Sequence, residues 1–232
     1  MKVIFAIPTH SGLIHSKCAL GLFAAQMLLQ MKGIKYDVIF LTDCAYLPVA
    51  RNTLTAMFME DKDATDLFFI DADVGFGAEA VMQILERPEE IVAGIYPLKR
   101  DIGGWPVRLK KDGEQKDGLM EAELLPTGFM RVKREAIETL QNIYPELKYE
   151  PNIVNVAGTD VKTVYDLFNM GALGSSKWTT EDFAFCERWT DIGGRLWVYA
   201  DCNLTHTGYK SFEGNYGQFL DAVKVIKETE AA

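Results

Sequence analysis

Histidine and cysteine are scarce in this sequence, three and four among 232 residues, and that scarcity narrows the chemistry at once. Cys18, Cys44, Cys186 and Cys202 lie far apart and form no C-x-x-C pair, so a cysteine-held zinc ion has no support. A chain of this length buries roughly 70% of its unfolded surface and needs no disulfide staples. The cysteines are therefore expected as free, buried thiols. Long hydrophobic runs are missing as well. The longest, residues 18–29, falls well short of a bilayer span, which takes roughly 20 apolar residues. The N-terminal run Val3-Ile4-Phe5-Ala6-Ile7 is too short for the apolar region of a signal peptide and reads as a first strand. A chain without a transmembrane segment, residing in the cytoplasm, is the expectation.

Basic residues are outnumbered, 24 against 33 acidic ones, for a net charge of −9 and a pI near 4.9. Such a surface repels phosphate backbones and anionic lipid, which argues against broad nucleic-acid binding while leaving room for a local basic site. The glycine fingerprints of two large enzyme classes are absent too. The loop Pro8-Thr9-His10-Ser11-Gly12 has neither the six-residue dinucleotide pattern nor the P-loop lysine, so dehydrogenase and P-loop NTPase readings fall away. No internal repeat, low-complexity tract or long linker divides the chain, and a single domain is expected.

What is present is a rhythm. Short apolar runs at residues 2–7, 36–41, 67–70 and 91–96 alternate with helical patterns at 16–32, 48–60 and 78–86. Pro48 is tolerated in the first turn of its helix. Strands alternating with helices predict an α/β fold with a mostly parallel central sheet, covered on both faces. After Tyr96 the rhythm breaks. Residues 99–123 are rich in Gly, Lys and Asp, with one convincing strand at 105–109, and hairpins or a mobile loop fit them best. Helices are predicted at 134–141, after Thr179-Thr180 and at 217–228, and a late strand at 196–200; residues 145–160 carry no clear pattern.

Asp71-Ala72-Asp73 follows the apolar run Leu67-Phe68-Phe69-Ile70 directly. In open parallel sheets ligands bind beyond the carboxyl ends of strands, so this strand delivers two carboxylates to the expected crevice. Hard cations such as Mg²⁺ and Mn²⁺ favour carboxylate oxygen, with substrate phosphates completing the shell. The plainer alternative is a polar turn after a buried strand. Glu181-Asp182 reads either as charge in the first turn of a helix or as the source of a general base. His206, beyond the late strand, reads as a third metal ligand or as a hydrogen-bonded structural residue. Arg51, in Ala50-Arg51-Asn52, could present a guanidinium to a phosphate or carboxylate, or simply face solvent. His10 and His15 receive no role.

Taken in order, these segments resemble nucleotide-sugar glycosyltransferases of the GT-A fold, nearest the family 2-like and Anp1-like group. The segments are Ile7-Pro8-Thr9, Thr42-Asp43, Ala50-Arg51-Asn52, Asp71-Ala72-Asp73, Ala93-Gly94-Ile95-Tyr96-Pro97, Pro126-Thr127-Gly128-Phe129-Met130, Thr180-Glu181-Asp182 and His206-Thr207-Gly208. The resemblance implies a single Rossmann-like GT-A domain, with residues 1–98 as the nucleotide-binding half and 99–232 as the acceptor side, where a smaller antiparallel portion lies. It implies Mn²⁺ or Mg²⁺ held by Asp71, Asp73 and His206, with Asp73 the direct ligand and Asp71 nearer the ribose or a metal-bound water. Pro8, Thr9 and Asp43 would line the nucleoside pocket of a UDP- or GDP-sugar, with Arg51, Asn52 and Ala72 nearby. Asp182 would be the general base of an inverting transfer to an acceptor hydroxyl, Glu181 would orient the acceptor or support that base, and Thr127-Gly128 would wall the acceptor side. Residues 102–105 could form a lid or an ordinary hairpin.

Three other readings compete. A D-x-D phosphatase is expected to carry the motif on its first strand, not its third. A sugar nucleotidylyltransferase should show a glycine-rich basic loop after the first strand, which Pro8 to Gly12 does not supply. An inactive nucleotide- or carbohydrate-binding module would bind donor without turnover.

Overall fold

In the computed structural model, residues 1–151, 155–156, 159–172 and 178–230 are described. The first half runs β1 (Lys2–Thr9), α1 (Ser16–Met31), β2 (Lys35–Thr42), α2 (Leu47–Glu60), β3 (Asp66–Ile70), β4 (Val74–Phe76), α3 (Ala78–Leu85) and β5 (Ile91–Gly94). There follow β6 (Arg108–Leu109), β7 (Gln115–Lys116), β8 (Leu119–Leu124), β9 (Phe129–Lys133), α4 (Arg134–Ile143) and the short strands β10 (Lys148–Tyr149), β11 (Asn155–Val156), β12 (Thr159–Asp160) and β13 (Val164–Tyr165). The chain closes with α5 (Glu181–Asp191), β14 (Leu196–Tyr199), β15 (Asn203–Thr207), β16 (Ser211–Asn215) and α6 (Tyr216–Glu230).

The central sheet has the order β2-β1-β3-β9-β5-β14-β8-β6, with β7 also on β8. Strands β2, β1 and β3 are parallel, as are β5 and β14, while β9 and β8 pair antiparallel with their neighbours. The α/β fold expected from the sequence is the fold observed. Alternation along the strands explains why both faces need cover. Ile4 and Ala6 of β1, with Leu67 and Phe69 of β3, join one core with Leu54 and Phe58 of α2 and Phe185 and Trp189 of α5. Val3, Phe5 and Ile7, with Phe68 and Ile70, join the other core with Leu22 and Leu29 of α1 and Val81 and Ile84 of α3. A strand apolar on both faces reads as a continuous hydrophobic run, as these do. Helix α1 is also apolar on its outer side, where Leu20, Phe23, Met27 and Met31 are exposed.

Two central strands escaped the sequence pattern. Strands β8 and β9 carry Glu121 and Arg131, charged residues that normally argue against a buried strand, yet both are buried. Hydrogen bonding from Arg195, which outweighs burial and is reinforced by Lys110, holds the Glu121 carboxyl down at about 2. Arg131 is 0% exposed and donates to the carbonyls of Arg87, Ile84 and Glu89 at 2.7, 3.2 and 2.5 Å. It thereby satisfies the end of α3 and the turn into β5. Of residues 105–109, Arg108 and Leu109 alone form a strand; Trp105 packs against Tyr216 and Phe219 of α6. Among the described residues no helix is long and apolar enough to cross a membrane. The cysteines are free, with Cys18, Cys186 and Cys202 buried.

Arg131→Met removes the donor shared by these carbonyls and strands Asp66 beside an apolar side chain. The expected loss is about 3 kcal/mol of unfolding free energy, read as a lower urea midpoint at unchanged m-value.

Candidate active site

The two aspartates occupy a turn rather than a continuing strand. Asp71 leaves β3 and the chain reverses through Ala72 and Asp73 into β4, closed by Val74 N–H donating to the Asp71 carbonyl at 2.9 Å. Three distant segments pin this turn through its backbone. The Asp71 N–H donates to the Gly128 carbonyl at 3.0 Å, His15 N–H to the Ala72 carbonyl at 2.9 Å, and Thr207 N–H to the Asp73 carbonyl at 2.8 Å. With all three carbonyls of the turn and the Asp71 N–H engaged, the carboxylates are aimed by the fold and not by local propensity. They diverge.

Asp71 turns toward the interior. Its Oδ1 accepts from Arg51 Nη2 at 2.9 Å, and Arg51 Nε reaches Glu181 Oε1 at 3.4 Å. Arg51 is 1% exposed. Burial works against its charge, but the carboxylates of Asp71 and Glu181 more than compensate and hold it above its ordinary value. Of the partners considered from sequence, solvent, phosphate or carboxylate, Arg51 takes carboxylates, as a buried bridge between the D-x-D turn and the first turn of α5. Gly128 allows the approach, because a Cβ there would lie 2.5 Å from Tyr96 Oη and 2.6 Å from Asp71 Oδ2. Tyr96 is itself buried, and burial with the Asp71 charge raises its phenol well above the usual value.

Asp73 turns toward the mouth of the crevice. Its Oδ2 pairs with Lys99 Nζ at 2.5 Å, and its Oδ1 lies 3.4 Å from His206 Nε2. Burial alone would raise this carboxyl; hydrogen bonds from His206 and Lys99 outweigh it and bring the group down to about 2. His206 Nδ1 lies 2.9 Å from the Pro97 carbonyl. A carbonyl only accepts, so Nδ1 carries a proton; Nε2 faces Asp73, and it donates to Oδ1 when it too bears a proton or offers its lone pair when it does not. The ring is held edge-on to Tyr96, with centroids 4.8 Å apart.

The donor set fits a hard divalent ion. Imidazole Nε2 and carboxylate Oδ1 face a common point, and the second nitrogen of the ring is anchored as in metal-binding histidines. Ions of this kind take one or two carboxylates from protein and complete their shell with phosphate and water. Among the described residues no three His, Cys, Asp or Glu side chains gather as a metal-holding group, and Asp71 Oδ1 is engaged by Arg51. Three buried side-chain atoms near the site also lack a partner: Arg51 Nη1, Thr127 Oγ1 and Thr207 Oγ1.

Asp182 sits in the first turn of α5 behind Thr180, the residue preceding the helix. Its Oδ1 accepts from Thr180 Oγ1 and, at 2.9 Å, from Phe183 N–H. Burial, and then the Glu181 charge, push its carboxyl above the ordinary range. The remaining sequence candidates lie along the same carboxyl edge of the sheet. Pro8 and Thr9 are buried at the end of β1, with Thr9 Oγ1 donating to the Leu13 carbonyl at 2.7 Å. Asp43 is exposed beyond β2 with φ of 61°, a left-handed conformation that aspartate tolerates. Asn52, expected near the nucleoside, is buried: its amide nitrogen donates to Asp166 Oδ1 at 2.7 Å and its oxygen accepts from Phe168 N–H at 3.0 Å. Lys99 was missed, since one lysine in a lysine-rich stretch carries no pattern. Two further clefts, of about 550 and 480 Å³, share Gly193, Gly194 and Arg195 before β14, at the opposite edge of the sheet from the carboxylates.

No protein-family model matches the sequence, and no curated protein matches it. Solved structures do. A197 from STIV is 21% identical with a TM-score of 0.52, over 90% of this chain and 86% of that chain. This likeness is one of fold. A mutant of Drosophila beta1,4galactosyltransferase 7 in complex with manganese, UDP-Gal and xylobiose is 14% identical with a TM-score of 0.45, over 85% of this chain and 63% of that chain. The inositol-1-phosphate CTP transferase from T. maritima is 10% identical with a TM-score of 0.44, over 89% of this chain and 88% of that chain.

Arg51→Met leaves Asp71 and Glu181 without their shared cation. Breaking a buried charge set by removing one member costs about 3–5 kcal/mol, a loss to be measured by chemical denaturation at neutral pH.

Proposed function

We propose that this chain is a metal-dependent glycosyltransferase of the family 2-like, Anp1-like kind that its motifs resemble. It transfers a sugar from a UDP- or GDP-sugar to an acceptor hydroxyl, with inversion. The observation that carries this reading is the contrast between two carboxylates on the segments that Arg51 bridges. Asp73 is held far below the usual carboxylate range beside an anchored histidine, while Asp182 is held above it. Carboxylates pushed apart in this way divide into a charge-holding group and a proton-accepting group.

In this reading Asp73 Oδ1 and His206 Nε2 hold Mn²⁺ or Mg²⁺, which supplies Lewis-acid stabilisation of the departing nucleoside diphosphate. Asp71 does not ligate; its ion pair with Arg51 fixes the turn that aims Asp73. Pro8, Thr9 and Asp43, at the ends of β1 and β2, border the nucleoside, with Ala72 at the turn beside it. Asp182 takes the proton of the acceptor hydroxyl on Oδ2, since Oδ1 is taken up by Thr180 and Phe183. Glu181 positions that base, being tied through Arg51 to the D-x-D turn. Residues 1–98 supply most of the donor side, and residues 99–232 the acceptor side together with His206.

Calorimetric titration of UDP and GDP with and without Mn²⁺ tests the donor site. One diphosphate is expected to bind wild type only with the metal and to lose that binding in Asp73→Asn; metal-independent or absent binding overturns the reading. Asp182→Asn is expected to keep donor affinity and to lower kcat by about 10²–10⁴. The raised carboxyl must be ionised to act, so kcat/KM falls as pH drops through its value, and the acid limb lies above the ordinary value of about 3.9. A raised folded-state value also means that the ionised group costs stability at neutral pH, a cost that disappears as pH falls through that value. Asp182→Asn should therefore raise the thermal midpoint while abolishing most turnover.

A further inference from the structure

We propose that Lys99 is an exchangeable counterion: it neutralises Asp73 in the absence of a divalent ion and, once the ion binds, turns its ammonium to the phosphates of the donor. This inference rests on the donor site described above and assigns a residue that no sequence motif marks.

The lysine has a built seat. Its stem lies over Gly208, where a Cβ would stand 3.2 Å from Lys99 Cδ, so the glycine of His206-Thr207-Gly208 makes room for it. Its backbone belongs to a fastened strap. Pro97 holds His206 Nδ1 at 2.9 Å, Leu98 N–H donates to the Gly104 carbonyl at 2.9 Å, and Arg100 Nε donates to the Gly103 carbonyl at 2.6 Å. Asp101 pairs with Lys210 and accepts from Tyr209 across the turn of the β15–β16 hairpin. The strap therefore moves with the hairpin that carries His206. The Lys99 side chain is 34% exposed. A lysine ammonium is a compact point charge on a flexible stem, able to re-aim over several ångströms without backbone movement.

The chemistry demands the exchange. Ammonium and divalent ion both seek the Asp73 carboxylate, and their mutual repulsion at a few ångströms keeps them from sharing it comfortably. Displaced from Asp73, the ammonium stands beside the point toward which Asp73 and His206 aim the ion, where phosphate oxygens complete the ion's shell. Charge-assisted hydrogen bonds to phosphate are among the stronger polar contacts. Lys99 would then add a second positive charge to the leaving group in an otherwise acidic protein.

The two roles predict effects of opposite sign in one variant, which a purely structural lysine would not produce. Calorimetry with Mn²⁺ alone should show Lys99→Met binding the ion up to about five-fold more tightly, the competing ion pair being gone. With saturating Mn²⁺, the same variant should bind UDP or GDP, whichever wild type prefers, about ten-fold more weakly. Lys99→Arg should recover most of the nucleotide affinity, and far-UV circular dichroism should match wild type for both. If both affinities fall together, or neither changes while Asp73→Asn loses Mn²⁺, the exchange is overturned and the proposed function stands. If nucleotide binds without Mn²⁺ but needs Lys99, the exchange and the metal-dependent reading fall together. Absence of any Mn²⁺ or nucleotide binding to wild type overturns both.

Discussion

A guanidinium buried between two carboxylates is the constraint on which the rest of the site depends. Arg51 lies 20 residues before Asp71 and 130 before Glu181, and it joins all three into one charge set beneath the crevice. Burying an arginine is unfavourable unless its charge is met, and both partners are needed to meet it. The turn that follows β3 cannot shift without breaking the pair with Asp71, and the first turn of α5 cannot shift without breaking the pair with Glu181. The turn after β3 and the first turn of α5 are thereby held in fixed relation, although they come from opposite halves of the chain. Tyr96 and Asp71 close the arrangement by occupying the space that a side chain at position 128, just before β9, would take.

Around this hub the protein sorts its carboxylates by environment. Asp73 gains cationic and hydrogen-bonding neighbours that outweigh its burial, and its carboxyl stays ionised to very low pH. Asp182 gains burial and a like charge, with Arg51 too weak a counterweight to reverse the shift. Identical residue types thus acquire separate roles through position alone. The net charge of −9 conceals this local pattern. Arg51, Lys99 and His206 form a small enclave in which each faces a carboxylate, Arg51 two of them.

The sheet explains why the enclave lies where it does. Strands β1, β2, β3, β5 and β14 all end toward one edge, and the loops leaving them carry Thr9, Asp43, Asp71, Tyr96 and Lys99. Strand β9 enters against them with Gly128 at that same edge, and β15 pairs with β4 to bring His206 beside Asp73. The second sheet is small, but its register is what sets the distance between imidazole and carboxylate.

The periodicities of the sequence by themselves determined the α/β class, because strands covered on both faces must be apolar throughout and their runs at residues 2–7, 36–41 and 67–70 are conspicuous. The order of short motifs likewise marked Asp71, Asp73, Asp182 and His206 as one candidate set. Other features were settled only by tertiary contact. Strands β8 and β9 hid behind Glu121 and Arg131, whose charges are satisfied by Arg195 and by carbonyls at the end of α3, partners distant in the chain. Whether the aspartates continued a strand or turned was decided by a backbone hydrogen bond to Gly128 and by others from His15 and Thr207. Arg51 looked as suited to solvent as to a phosphate or carboxylate, and nothing in the sequence marked Asn52 for its bonds to Asp166 and Phe168. Lys99 had no signature at all. Local pattern records which face of an element is apolar, but the partner of a charged side chain is chosen in space, and that choice decided what each polar residue does here.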